Sequence, residues 1–470
     1  MGSRPATHRD DATRIHMTAM PSARRSPLAA CLLALLCVAG ASRAQVAPGI
    51  VASELDLAAR QVETGEFGAA RDWLLDHVTD LSAGVNRYDP ALVRPLTLLG
   101  DAYMGLGEPA EALRQYQHAT HLARVSSGLR SPQQVEIVYR EATALKSLGA
   151  LQDANEREEY AFRILAESSD PSDPELLPAI NRLAGWYLET DNPYPARALY
   201  QQALVIHQAT GQLESETAVP ALRGLAASFR LERFPPVYER NEEPPIGAGI
   251  SPMVAAQMAG NALPAGEQAL QQVARIRKAQ EESNPQGYLE AILELADWYN
   301  LFEKPSRANP LYAHAFELMA KVPNADPVAF FADPRTLYFP DPGQTRDRAV
   351  RGKGEIRDGF VEVGYAVTDT GFSRDLVTIA SEPKGLMDMR VRRSLRAARY
   401  RPALVNGVAV ATANRVYRHE FQYEEEPEPE AEAEAEGKAE AEAEGKAKPK
   451  AEAEAEAEAD DKPSKRAGTP

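Results

Sequence analysis

Small and apolar positions recur along the chain at a fixed interval. Leu57-Ala58, Leu99-Gly100, Glu141-Ala142, Leu183-Ala184 and Leu225-Ala226 stand 42 residues apart. Ala70, Ala112, Ala154 and Ala196 keep the same interval, as do Gly65, Gly107 and Gly149, with Asp191 in the next place. Agreement between independent phases at one period marks a supersecondary unit that buries its apolar face only by stacking on its neighbours. Within each unit the apolar spacing predicts two helices separated by the Gly position.

Leu96, Leu99-Gly100, Tyr103, Ala112, Tyr116 and Ala119 show the unit in full. Ile180, Leu183-Ala184, Tyr187, Ala196, Tyr200 and Ala203 repeat it, and so do Ile292, Leu295-Ala296, Tyr299, Ala308, Tyr312 and Ala315. Small residues let the two helices approach, and the aromatics fill the wedge between them. This spacing resembles the tetratricopeptide repeat. The longer unit is similar to that of kinesin light chains. Copies near Leu57 and Ala142 keep the small residues and lose the aromatics, as terminal or strained repeats do.

The period breaks after Leu225. Phe234-Pro235-Pro236 and Glu243-Pro244-Pro245 stop helices, so an inserted loop is expected near 234–262. A helix resumes from about Pro264 to Glu282, with Ala269, Val273 and Ile276 as its apolar stripe, and reads as a displaced second helix. The next unit begins near Tyr288, and the repeats are expected to fill 45–325.

From Arg335 the period changes to two. Val361, Val363, Tyr365 and Val367 share one face of a strand, Thr370-Gly371 turns, and Leu376 to Ile379 forms a second β-rich run. A helix is predicted over Lys384 to Ala398, buried through Met387, Val391, Leu395 and Ala398, with Arg390, Arg393 and Arg396 facing away and Pro402 ending it. Asn406-Gly407 leads into a last strand, Arg415 to Tyr423, giving the order β, β, α, β. Tyr338-Phe339-Pro340, Thr370-Gly371, Tyr400-Arg401-Pro402-Ala403 and Asn406-Gly407 resemble the TonB C-terminal domain over residues 336–423. That resemblance implies a small α+β fold which accepts a partner segment by strand addition. Its expected edge is the last strand, with Arg415, Tyr417, His419, Phe421 and Tyr423.

The two ends narrow the setting. Arg24 and Arg25, an apolar run from Leu28 to Ala41, and Ser42-Arg43-Ala44 have the order of a secretory signal over 1–44, with cleavage expected after Ala44. Leu28-Ala29-Ala30-Cys31 mimics a lipoprotein site, yet no apolar stretch precedes it, so no lipid anchor is expected. Both cysteines, Cys31 and Cys37, lie in this signal, which excludes disulfides and thiolate chemistry from the mature chain. After Tyr423 comes a Glu/Ala-rich tail, 424–470, with 17 acids against 7 bases. Alternation puts Glu on every face of a helix, so the tail is expected to be disordered and solvated. Residues 346–423 are basic by contrast, which allows a salt-screened contact between the two.

The net charge of −16 gives no reason to expect a nucleic-acid partner. His118 and His121 lie three apart but lack visible co-ligands, and no phosphate loop, paired metal ligands or nucleophile elbow occurs, so no metal, cofactor or catalytic residue is assigned. What remains is binding. First helices line the inner groove of such arrays, which nominates Asp101, Tyr139, Lys146, Asn181, Arg223 and Arg230. The expected fold is mainly α, a tetratricopeptide-like solenoid followed by the α+β module. The expected function is a periplasmic, non-enzymatic scaffold for envelope proteins. The alternative is a TonB-type energy transducer, held in the inner membrane by an uncleaved signal and acting on outer-membrane receptors in transport.

Overall fold

The computed structural model describes residues 48–84, 88–236, 262–345 and 355–425. The signal, residues 237–261 of the insertion and the tail from 426 lie outside the described residues. Antiparallel helix pairs begin with α1 (Pro48–Thr64) and α2 (Phe67–Gly84), then α3 (Val93–Gly105) and α4 (Pro109–Ser127). They continue with α5 (Val135–Ser147) and α6 (Leu151–Glu167), and α7 (Leu177–Glu189) and α8 (Pro193–Ala209). Next come α9 (Val219–Arg233) with α10 (Ala262–Lys278), and α11 (Pro285–Leu301) with α12 (Pro305–Met319). None of the described helices is long and apolar enough to cross a membrane.

Local chemistry fixes the period. Each of α3, α5 and α7 is entered through a short 3-10 turn whose cap, Asp89, Ser131 or Asp173, accepts a hydrogen bond from the backbone two residues on. A proline follows each cap, where its fixed φ suits a helix start and its missing N–H is not needed. Of the six described first helices, five are followed by a left-handed residue, which explains the periodic glycines: Gly65, Gly107 and Gly149 have φ of 85°, 76° and 75°, whereas α9 ends at Phe234 with φ of −128°. Asp191 (φ 59°) and Glu303 (φ 61°) make the same turn without glycine. Between the helices, Gly100 is required by contact: a Cβ there would stand 2.3 Å from the Tyr116 ring. After the insertion α10 packs on α9, Val273 and Leu270 joining Ala226 and Phe229 in one core, as expected of a displaced second helix.

A small α+β module follows α13 (Pro327–Phe330). Strand β1 (Arg335–Tyr338) pairs antiparallel with β4 (Arg399–Arg401). Strands β2 (Glu355–Val367), β3 (Ser373–Glu382) and β7 (Thr412–Glu425) form an antiparallel sheet in the order β3-β2-β7. Met387, Val391 and Leu395 of the segment around α14 (Asp388–Ala397) pack on Val361, Val363 and Phe421. Asn406-Gly407, with φ of 51° and 79°, joins β5 (Ala403–Val405) to β6 (Val408–Val410).

Two expectations need correction. Helix α14 starts at Asp388 rather than Lys384, because Gly385 takes φ of 83° and the chain turns there. Pro402 does not end the helix; Ala398 does so by turning extended, and Pro402 separates β4 from β5. Strands β1, β4, β5 and β6 are three or four residues long, too short for an alternating pattern to announce them.

Candidate interaction surfaces

The nominated groove residues divide once their neighbours are known. Asp101 accepts from the Tyr116 hydroxyl at 2.7 Å and from Arg140 Nε of the next first helix at 2.9 Å. Lys146 on α5 pairs with Glu189 on α7 at 2.6 Å. Arg223 on α9 pairs with Glu294 on α11 at 2.8 Å and faces Glu290 at 3.9 Å. Arg94 and Asp56 do the same between α3 and α1. The mixed charges of this face therefore bind successive first helices to one another, which is why no partner code could be read from them. Tyr139 is buried beneath the Arg182 guanidinium, 3.7 Å from its ring centre, and burial pushes its hydroxyl up to about 12.

What remains open lies toward the C-terminal end. Half-buried Asn181 has a side-chain oxygen without a hydrogen-bond partner. Arg230 is exposed and, among the described residues, is tied only to the Leu337 carbonyl, at 3.1 Å. Arg230 and Arg223 line a cavity of 250 Å³ between α9 and α11, together with Glu294, Asp297, Trp298 and Leu301. Two buried donors there make no hydrogen bond, Arg223 Nη2 and Trp298 Nε1. Each such donor costs about 1–3 kcal/mol. Burial raises the Glu294 carboxyl above its ordinary range, and Arg223 opposes that shift.

The module meets the last repeat through one further site. Arg401 of β4 is buried and grips Asp297 of α11 with two bonds, 2.9 Å to Oδ1 and 2.6 Å to Oδ2. Tyr312 donates to the same carboxylate at 2.8 Å. Asn300 donates to the Tyr400 carbonyl, Arg399 pairs with Glu303, and Leu404 of β5 is buried in the core of the last repeats. Asp297, Tyr312 and Arg401 thus reproduce the contacts of Asp101, Tyr116 and Arg140, with the module supplying the arginine that a following repeat would bring. Sequence reasoning missed this joint. Its signal was Asp297 at the repeat position of Asp101.

The strand edges also differ from expectation. Strand β7 is an edge, but residues 343–345 lie along it: Gln422 N–H donates to Gln344 Oε1 at 2.9 Å, Thr345 donates to the Gln422 carbonyl, and His419 Nε2 lies 3.0 Å from the Gly343 carbonyl. The nominated aromatics serve the module itself. Tyr417, Phe421 and Tyr423 pack into the sheet–helix core, and Tyr417 stands against Phe339. Arg415 pairs with Asp333 at 3.0 Å. At the opposite edge, β3 pairs with no described strand except β2, and its Val377 and Ile379 are 63% and 58% exposed. An edge without Lys or Pro that exposes Val377 and Ile379 can template another strand, although Arg374, Asp375 and Glu382 make it only partly apolar.

The chain carries a tetratricopeptide-type helical repeat. No protein-family model and no curated protein matches it. Similar solved structures include a putative kinesin light chain from Podosopora anserina with nearly identical TPR-like repeats, 18% identical over 50% of this chain and 97% of its own, at a TM-score of 0.39. BtubC from P. vanneervenii is 17% identical over 64% of this chain and 99% of its own, with a TM-score of 0.38. MamA is 16% identical over 47% of this chain and 96% of its own, at 0.29. The likeness is of helical repeats alone, and the assignment stands on the chain's own helix pairs.

Proposed function

We propose that this protein is a non-enzymatic interaction scaffold, exported to the periplasm of a Gram-negative cell, that holds one envelope protein in the groove of its repeats and another at its C-terminal module. The observation that carries the reading is the cavity between α9 and α11. Arg230 is exposed there, and Arg223 Nη2 and Trp298 Nε1 are buried donors without acceptors. An extended peptide brings carbonyl oxygens, or a terminal carboxylate, to the exposed Arg230 guanidinium that lines this cavity. On the module, the β3 edge is the better place for strand addition, since no described strand but β2 pairs with it while residues 343–345 lie along β7.

The test is capture by cross-linking in cells with tagged full-length protein. Arg230→Ala should lose one partner about tenfold or more while a second stays bound, since a hot-spot arginine at an interface is worth about 2 kcal/mol. Val377→Lys with Ile379→Lys should do the reverse. If both variants retain the same proteins as wild type, the scaffold reading fails. The transducer alternative draws on the TonB-like Tyr400-Arg401-Pro402-Ala403 segment, yet Tyr400 and Arg401 are here engaged with α11. N-terminal sequencing separates the two: a soluble chain beginning at Gln45 removes the anchor that a transducer needs.

A further inference from the structure

Helix α14 gathers four arginines, Arg390, Arg392, Arg393 and Arg396, within seven residues. Arg399, Arg401, Arg415 and Arg418 of the neighbouring strands each hold an acid: Glu303, Asp297, Asp333 and Glu362. Arg390, Arg392, Arg393 and Arg396 of α14 have no ion-pair partner among the described residues, and Arg390, Arg393 and Arg396 are exposed. Arg392 Nε is buried with no hydrogen-bond partner. Asp388, the one acid on the helix, is occupied by the Ser381 hydroxyl at 3.3 Å and the Gly385 N–H at 3.1 Å. Met389 and Leu386 lie exposed beside this face, at 74% and 48%.

We propose that the acidic tail of this same chain, residues 426–470, docks on the arginine face of α14. The chain leaves the sheet beside that face. Gln344 accepts from Arg390 Nη1 through its carbonyl and from the Gln422 N–H through its side chain, both at 2.9 Å. One residue thus spans the gap between the first arginine of α14 and the strand that ends at Glu425. Fully extended, ~45 residues span up to about 150 Å. A ten-residue helix is only ~15 Å long, so every arginine is within range. Residues 426–470 supply 15 acids against 7 bases. Guanidinium forks match carboxylates, and tethering holds the tail at an effective concentration on the order of millimolar. Each exposed pair is weak and screened by salt, so the docked state is graded by ionic strength. An anionic partner for α14, whether protein or membrane, must displace the tail. The groove plays no part in this contact, so it stands or falls separately from the scaffold reading.

Two spin labels on the full-length chain test it, at Met389→Cys and Ala457→Cys in a Cys31→Ser, Cys37→Ser background. Pulsed electron–electron distances should show a compact population at ~20 mM salt that falls at least about threefold at ~500 mM, where the Debye length is a few ångströms. Arg393→Gln with Arg396→Gln should lose most of that population at low salt with an unchanged thermal midpoint, these two side chains being exposed and making no hydrogen bond among the described residues. Replacing the tail glutamates by glutamine at constant length should do the same, and should tighten binding to phosphatidylserine vesicles about tenfold. A broad distribution that is insensitive to salt and to both sets of substitutions overturns the proposal. So does equal vesicle binding by wild type and the neutral-tail variant.

Discussion

The second repeat and the last repeat close the same polar joint with different material. In the second, Asp101 receives Tyr116 from its own helix pair and Arg140 from the next, 39 residues on. In the last, Asp297 receives Tyr312 in the same way and then Arg401, 104 residues on and from a β-strand. Arg Nε to Oδ1 is 2.9 Å in both. A helical array leaves its final face unsatisfied unless something caps it. Here the α+β module is the cap, and it makes the contact a seventh helix pair would have made, while Leu404 continues the apolar core.

The two joints differ in burial, and that difference sets the largest expected effect. The Arg401 side chain is 6% exposed and bidentate, whereas that of Arg140 is 38% exposed and bonded to Asp101 through one nitrogen. Arg401→Ala should cost about 3–5 kcal/mol, the range for breaking a buried pair, against ~1 kcal/mol or less for Arg140→Ala at a half-exposed one. Urea denaturation of full-length chains measures both. Hydrogen exchange should show β1 and β4 losing protection in Arg401→Ala. Equal losses for the two variants would break the claim that the module is a structural cap.

A smaller effect sharpens the packing beneath the joints. Gly100 touches the Tyr116 ring, whereas a Cβ at Gly185, which occupies the repeat position of Asp101, would meet only the Tyr200 hydroxyl at 4.0 Å. Gly100→Ala should therefore destabilise by about 1–3 kcal/mol through overpacking. Gly185→Ala should stabilise by up to about 1 kcal/mol, as a helix interior prefers alanine. Opposite shifts in the urea midpoint are the expected result.

Much of this is legible in the sequence. The period, the helix pairs, the displaced helix after the insertion and the buried stripe of α14 all follow from spacing, because burial against a neighbour forces regular positions. The roles of polar residues were not legible. Glu158 stands where Tyr116 and Tyr200 stand and looked like decay of the repeat. It instead receives Arg182 with two bonds, 2.9 and 2.7 Å, moving the acid of the joint from the first helix to the second. Likewise Asp101, Lys146 and Arg223 read as groove charges because sequence cannot say whether a charge faces a partner or the next helix. Strand β7 was named as the open edge because residues 343–345 give no sign in sequence of lying along it.

The smallest effect concerns Glu141, which the third repeat places where the second and last have Leu99 and Leu295. It is buried, with Arg157 3.5 Å away at the rim, and burial raises its carboxyl above the ordinary range. A carboxylate whose folded pKa is raised binds its proton more tightly in the folded state. Its ionised form therefore opposes folding as pH rises from about 4 through the folded value. Glu141→Leu removes that opposition and restores the apolar contact of the other units, so it should stabilise by about 1 kcal/mol at pH 7, within the range seen for replacing a buried ion pair by a hydrophobe. The gain should shrink toward pH 4, where wild-type Glu141 is protonated in both states. A gain that is constant with pH would mean that packing alone separates the third repeat from its neighbours. A loss at pH 7 would mean that Arg157 more than offsets the burial of the charge.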